Sequence, residues 1–185
     1  MLRVISGKYR HRILEQPPLE ITRPTTDKNK EAIFNSIRFD LEGSVVLDLC
    51  CGSGSLSIEA LSNSACKAIG VEKNKIPQEV IIKNINALGI ENFDLYKGDV
   101  ISFLKEKAIN LKFDFIFFDA PFLDYSLINE TLVEVINSNC LHNNGLLIME
   151  TNDPNSIIIP NGFTIYKYKK YGKSHIYWLS LNKKM

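Results

Sequence analysis

Two strand-end signatures hold the residues of this chain that could do chemistry. The run Phe115-Ile116-Phe117-Phe118 ends at Asp119 and is followed by Ala120-Pro121-Phe122. An exocyclic amine on a nucleobase is a poor nucleophile, because its lone pair is delocalised into the ring. The Asp119 carboxylate and the Ala120 carbonyl can each accept one of its two N–H bonds. Such a grip aligns the nitrogen with an electrophilic carbon and supports the positive charge that develops on it. Phe122 can cover the face of the base, and Pro121 stiffens the turn. The same four residues also suit an ordinary turn after a strand-end acid. Tyr125 reads equally as a second stacking group or as a helix-start aromatic.

The other signature, Asp48-Leu49-Cys50-Cys51-Gly52-Ser53-Gly54, closes the run Val45-Val46-Leu47. Gly52 and Gly54 allow a tight turn and a close backbone approach to a ligand. The helix start beyond them offers unpaired N–H groups. Asp48 can orient this loop, accept a ligand N–H, or simply cap local amides. Glu72 ends the next strand, where an acid suits a ribose diol. Asp99 follows Gly98 after the third strand, where an adenine amino group can be met. Lys73 and Val100 adjoin these acids, and Cys50 and Ser53 line the loop. NAD would use much of this geometry, but its fingerprint asks for a third glycine where Ser57 stands. S-adenosylmethionine (SAM) has no pyrophosphate to bring against the helix start, and it is the preferred cofactor.

The elements around these signatures alternate. Apolar runs predict strands at 45–49, 67–72, 93–96, 113–118 and 146–150. Helical patterns predict helices from 56, at 76–88 with Gly89 as its stop, at 100–107 and at 127–136. Thr25 or Thr26 caps an earlier helix whose apolar side is Ala32, Ile33, Phe34 and Ile37. Two further strands, 163–170 and 175–181, flank the turn Tyr171-Gly172-Lys173-Ser174. This is an α/β fold, a Rossmann-like open and mostly parallel sheet with helices on both faces and a C-terminal antiparallel hairpin. The hairpin predicts an antiparallel strand at or near one edge. Residues 1–24 read as a basic β-rich or extended arm, broken by Pro17-Pro18 and Pro24, and 25–185 as the main domain.

A chain of 185 residues with 45% hydrophobic and 23% charged residues fits one soluble domain. No apolar run is long enough to span a bilayer, and Arg3, Lys8, Arg10 and Arg12 replace an apolar leader, so the cytoplasm is the expected compartment. Cys50, Cys51, Cys66 and Cys140 lack zinc or redox spacing, and no metal is expected. The net charge is only +1, but the bases segregate. Residues 2–12 hold four bases and no acid, and 165–185 hold six lysines, Lys169 among them, and no acid. Basic ends around an acidic middle suit a polyanion-binding face if they come together, or lysines that merely solubilise.

The chain resembles the bacterial RsmD family, which methylates the N2 amine of one guanine, guanine 966, in 16S ribosomal RNA. Arg3-Val4-Ile5-Ser6-Gly7-Lys8-Tyr9-Arg10 resembles that family's opening strand. Arg23-Pro24-Thr25-Thr26-Asp27 and Glu31-Ala32-Ile33-Phe34-Asn35 resemble its element before the SAM domain. Residues 48–56 resemble its SAM loop, with Cys50 where many methyltransferases have glycine, and 168–176 resemble its final hairpin. The resemblance implies SAM contacts at Asp48, Glu72 and Asp99, and an amine-binding motif from Asp119 to Phe122. It implies RNA contacts or entrance shaping by Arg3, Lys8, Arg10, Arg12 and Arg23, although Arg23 can also pair with Asp27 or Glu31. Lys169 and Lys170 alternate across a strand, so one at most faces the same RNA surface. One departure stands out: the family form is Asp-Pro-Pro-Phe, and Ala120 replaces the first proline. The carbonyl survives; the fixed φ does not.

The expected function is therefore SAM-dependent guanine-N2 methylation of 16S ribosomal RNA, with an assembling small-subunit particle as partner and the protein acting as a monomer. The guanine must leave its stack to reach the cleft. Two other readings use the same residues: an adenine-N6 or cytosine-N4 methyltransferase acting on DNA, and a non-catalytic RNA-binding or ribosome-assembly protein.

Overall fold

The computed structural model describes residues 2–20, 25–120 and 124–182. A seven-stranded sheet runs through the molecule in the order β5-β4-β3-β6-β7-β9-β8. Its strands are β3 (Val45–Leu49), β4 (Lys67–Glu72), β5 (Phe93–Lys97), β6 (Phe113–Phe118), β7 (Leu141–Thr151), β8 (Phe163–Tyr171) and β9 (Ser174–Leu181). The first five strands in that order are parallel, and β9 lies antiparallel between β7 and β8. The closing hairpin thus inserts β9 and leaves β8 as the edge. Parallel strands need crossovers, and helices supply them: α2 (Ser55–Ser62), α3 (Lys75–Leu88), α4 (Val100–Glu106) and α5 (Tyr125–Asn137).

The helix before the sheet, α1 (Asp27–Ile37), is capped by Thr26, whose side chain accepts from the Asn29 amide. It buries Ile33, Phe34 and Ile37, with the Phe34 ring centred 5.5 Å from that of Phe117. This face of the sheet also receives α2 and α3. On the opposite face, α4 and α5 close over Ile116, Phe118 and Met149. β7 starts five residues before the apolar reading placed it, because His142, Asn143 and Asn144 are exposed and conceal the strand from a hydrophobic pattern. Among the described residues no helix is long and apolar enough to cross a membrane.

The N-terminal segment is short in strand and firmly packed. β1 (Leu2–Arg3) pairs antiparallel with β2 (Ile13–Leu14), and Leu2, Val4 and Leu14 are buried in the α1-side core. Gly7 has φ +76° and sits so close to α2 that a Cβ there would lie 1.9 Å from the Ser62 carbonyl oxygen. Glu59 of α2, fully buried, accepts from the backbone amides of Ile5 and Ser6. Lys30 of α1 is equally buried; its Nζ donates to the Arg3 carbonyl at 2.5 Å and lies 3.5 Å from Glu59 Oε2. Burial lowers the Lys30 pKa, and Glu59 opposes that shift. An ion pair with these extra donors and acceptors is satisfied in the interior.

Candidate active site

A cleft of about 910 Å³ opens at the carboxyl ends of β3, β4, β5 and β6. That is where ligands meet an open α/β sheet. Asp48, Cys50, Gly52, Ser53, Glu72, Lys73, Asp99 and Val100 all line it, together with Asp119 and Ala120. Gly54 is placed differently. It has φ +76°, and a Cβ built on it would meet Ile81 at 3.6 Å; its work is the turn into α2.

The loop after β3 is wound by left-handed residues. Cys50 has φ +60° and Gly52 φ +55°. A glycine would suit position 50 sterically. Asp48 is buried, and its Oδ2 accepts from both the amide (3.1 Å) and the hydroxyl (2.8 Å) of Ser57. The residue standing in place of a third glycine therefore locks the acid to the start of α2. Burial pushes Asp48 up to about 7, against the Ser57 bonds that pull it down. Glu72 accepts from Gly52 N at 3.0 Å and from Asn74 N at 2.8 Å, and burial raises its pKa. Asp99 caps α4, accepting from Ser102 N and Oγ, and those bonds hold its pKa below the ordinary value.

The cofactor can be tested against these commitments. The amides of Cys51, Gly52, Gly54 and Ser57 are spent on Val71, Glu72, Cys51 and Asp48 respectively. What faces the cleft is a pair of acids at the ends of β4 and β5, suited to sugar hydroxyls and an exocyclic amine. SAM fits this donor set: Glu72 would meet its ribose, Asp99 its adenine side, and the loop from Cys50 to Ser53 its amino-acid part.

On the other side of the cleft four elements hold a pair of buried acids, Asp119 and Glu150. Thr25 Oγ1 donates to Asp119 Oδ2 at 2.6 Å. One turn later, Asn29 Nδ2 donates to Glu150 Oε1 at 2.8 Å, and Ser174 Oγ donates to the same oxygen at 2.6 Å. Phe118 pairs with Met149 in the parallel register, so Asp119 and Glu150 are the next residues of neighbouring strands on one face. Burial, and after it the charge of Glu150, pushes Asp119 up to about 7; Thr25 opposes the shift. Burial also raises Glu150, against the Ser174 and Asn29 bonds. Pro121, Phe122 and Arg23 lie outside the described residues.

None of the basic candidates for RNA contact among the described residues lines the cleft, and Lys8 bonds through its amide to Ser62 at the far end of α2. Arg3, Lys8, Arg10 and Arg12 are exposed on the arm. Arg3 Nε pairs with Asp27 at 3.0 Å, and an Arg12 guanidinium N–H reaches the Ala87 carbonyl. Lys169 pairs across the sheet with Ile176, and Ile176 pairs with Glu150. Lys169 thus stands at the same level of the sheet as Asp119 and on its cleft edge, two strands beyond Glu150. The arm's outgoing limb contributes Gln16, Pro17, Leu19 and Glu20 to the cleft wall. Asn84 of α3 fixes that limb: it accepts from Glu15 N and donates to Glu15 O and to Ser53 O.

No local pattern in the sequence points to Asn29, Lys30, Glu59, Asn84 or the cleft-lining part of the arm, and Thr25 stands out as a possible cap and as part of the pre-domain motif. Only Glu150 carried a usable signal, since Asp48, Glu72 and Asp119 also end or immediately follow their strands with an acid. Among the described residues no cluster of three or more His, Cys, Asp or Glu side chains is arranged to hold a metal ion.

Comparison with known proteins converges on one group. The family described as Conserved hypothetical protein 95 matches residues 2–180. A protein of Buchnera aphidicola subsp. Baizongia pistaciae named Ribosomal RNA small subunit methyltransferase D is 34% identical over 184 residues, 98% of this chain and 92% of its own. The Haemophilus influenzae protein of the same name is 33% identical over 173 residues, 92% of this chain and 89% of its own. The solved structure of yhhF from Escherichia coli superposes with a TM-score of 0.87 at 27% identity, covering 99% of each chain.

Proposed function

The chain belongs to the ribosomal RNA small subunit methyltransferase D family, a group of SAM-dependent methyltransferases, and on that premise we propose that it methylates the N2 amine of guanine 966 in 16S ribosomal RNA. The observation that carries this reading is Asp119: a carboxylate at the cleft wall, one oxygen held by Thr25, beside the Ala120 carbonyl and across the cleft from Glu72. A carboxylate and a carbonyl side by side match the two N–H bonds of an exocyclic amine. Bound SAM supplies an electrophilic methyl on a sulfonium.

The residues of this chain then have separate tasks. Glu72 and Asp99 orient the nucleoside end of the cofactor, and Asp48 keeps the loop from Cys50 to Ser53 in shape, with Lys73 and Val100 bordering the nucleoside. Asp119 and Ala120 turn the amine lone pair toward the methyl, with Pro121 and Phe122 completing the grip on the base. Methylation would leave the amine nitrogen with one proton to shed, and Asp119 would accept it. Arg3, Lys8, Arg10, Arg12 and Arg23 on the arm of residues 1–24, with Lys169 on β8, take the RNA backbone around a guanine drawn out of its stack. The transfer domain is 25–185. The protein works as a monomer in the cytoplasm on an assembling small-subunit particle.

The test is chemical mapping of 16S ribosomal RNA from a strain lacking the gene, before and after the gene is restored. Loss of N2-methylguanine at that position, regained on restoration, is the expected result. An unchanged modification would remove this substrate, and transfer to DNA by the purified protein would redirect the reading.

A further inference from the structure

We propose that Glu150 is a positioning residue of the reaction centre, whose carboxyl shares a single proton with Asp119 and so sets the capacity of Asp119 to take up the amine proton. The inference rests on the amine-methylation reading above. Its geometry is independent of any ligand. Asp119 and Glu150 follow the register pair Phe118–Met149 on strands spaced about 4.8 Å apart. Their side chains leave the sheet on the same face. Each is held from α1's first turn and its approach, Asp119 by Thr25 and Glu150 by Asn29. Glu150 is buried, and Oε1 is engaged by Asn29 and Ser174, while Oε2 is buried without a hydrogen-bond partner among the described residues.

An orphan carboxyl oxygen in the interior is costly as an anion and well suited to carry a proton. Two carboxyls this close do not both ionise readily; the pair titrates as a unit, the first proton leaving easily and the second late. The groups around them add to that tendency. The charges acting on Asp119 are Glu150 and, from β3, Asp48. Ser174, Asn29 and Thr25 are neutral donors. His175, beside Ser174 on β9, has its Nδ1 engaged by the Tyr168 hydroxyl at 2.7 Å, and Lys28 of α1 lies over the Tyr171 ring.

The proton ledger is simple. Before transfer both carboxyls are ionised, and the Glu150 charge makes Asp119 the stronger acceptor of the amine N–H. As the methyl arrives, nitrogen sheds one proton to Asp119, and the pair then shares that single proton. Release of one proton to water, once the product departs, resets it. Without the Glu150 charge, Asp119 would be a weaker base and a poorer acceptor.

Glu150→Gln keeps the shape and the Oε1 acceptor while removing the charge. Its test has two readouts. The first is the pH profile of single-turnover methyl transfer on small-subunit particles at saturating SAM. The acid limb of the parent should move toward lower pH by about one unit or more in the variant, with a plateau rate about tenfold lower. The second needs no substrate: carboxyl carbon NMR titration of the ligand-free protein, with Asp119→Asn and Glu150→Gln to assign the resonances. Two coupled steps that collapse to one in either variant are expected. Independent titration of the two carboxyls, or an active variant with an unmoved acid limb, overturns the proposal. A parent inactive on every small-subunit substrate, with coupled titration intact, would instead count against the RNA reading.

Discussion

The Thr25 hydroxyl donates to Asp119 Oδ2 across 2.6 Å, joining positions 94 residues apart in the chain. The segment that leads into α1 therefore does more than start a helix. Thr26 caps it, Thr25 turns back to the acid at the end of β6, and Asn29 reaches the acid at the end of β7. The segment from Thr25 to Asn29 is a brace for two acids, Asp119 just after β6 and Glu150 near the end of β7.

Removing that brace with Thr25→Val should weaken methyl transfer through Asp119. A hydrogen bond to a charged group contributes ~1.5–3 kcal/mol, so the rate at neutral pH should fall about ten- to hundredfold. Because Thr25 pulls the Asp119 pKa down, its loss should move the acid limb of the rate profile to higher pH. SAM affinity, read by calorimetry, should stay within about twofold. A large loss of affinity with an unmoved limb would mean that Thr25 shapes the cofactor cleft instead.

Lys30→Met leaves Glu59 charged and buried beneath the arm. Breaking one side of such a pair costs about 3–5 kcal/mol, and urea titration should record a loss of that order. Combining it with Glu59→Gln, which still accepts the Ile5 and Ser6 amides, should recover part of the loss. No recovery in the double variant would show that the charges are not coupled.

Cys50→Gly relieves a left-handed conformation that costs a side-chain-bearing residue about 1–2 kcal/mol, offset in part by the entropy of glycine. A net gain of about 0.5–1 kcal/mol is expected, visible as a higher Tm. A lower Tm would indicate that packing of the Cys50 side chain outweighs the backbone strain.

Ala120→Pro restores the family form of the amine motif. Asp119, Pro121 and Phe122 are present already, so the parent should turn over at a rate within about tenfold of the proline variant in a single-turnover assay. A parent at background, rescued by proline, would contradict this.

Asp48 is held near 7 when folded and about 3.9 when unfolded. Between those values the folded state binds more protons than the unfolded one, so stability should fall as pH rises from about 4 to about 7 and level off above. Asp119 contributes a slope of the same sign. Asp48→Asn should flatten the difference in unfolding free energy between pH 5 and pH 8. An identical difference in both proteins would place Asp48's titration outside that window.

Much of this architecture was legible because the strands are buried on both faces. Val45–Leu49, Lys67–Glu72 and Phe113–Phe118 emerge at their observed bounds from unbroken or near-unbroken apolar runs. The acids that terminate them marked the cleft for the same reason. The start of β7 was not legible, since three exposed polar residues interrupt its pattern. Nor were Lys30 and Glu59, whose charged side chains at helical spacing look like solvated surface until the arm is folded over them. Thr25 and Asn29 bond to residues far away in the chain, and no local pattern announces such partners.

The single carboxamide of Asn84 grips both the arm at Glu15 and the cofactor loop at Ser53. Occupancy of one cannot be energetically indifferent to the other if either shifts that anchor. By reciprocity, any tightening of the loop around cofactor that favours a ligand on the arm must be returned, in equal measure, as tighter cofactor retention once that ligand is engaged. The mutual dependence of the two ligands would then run through one side chain.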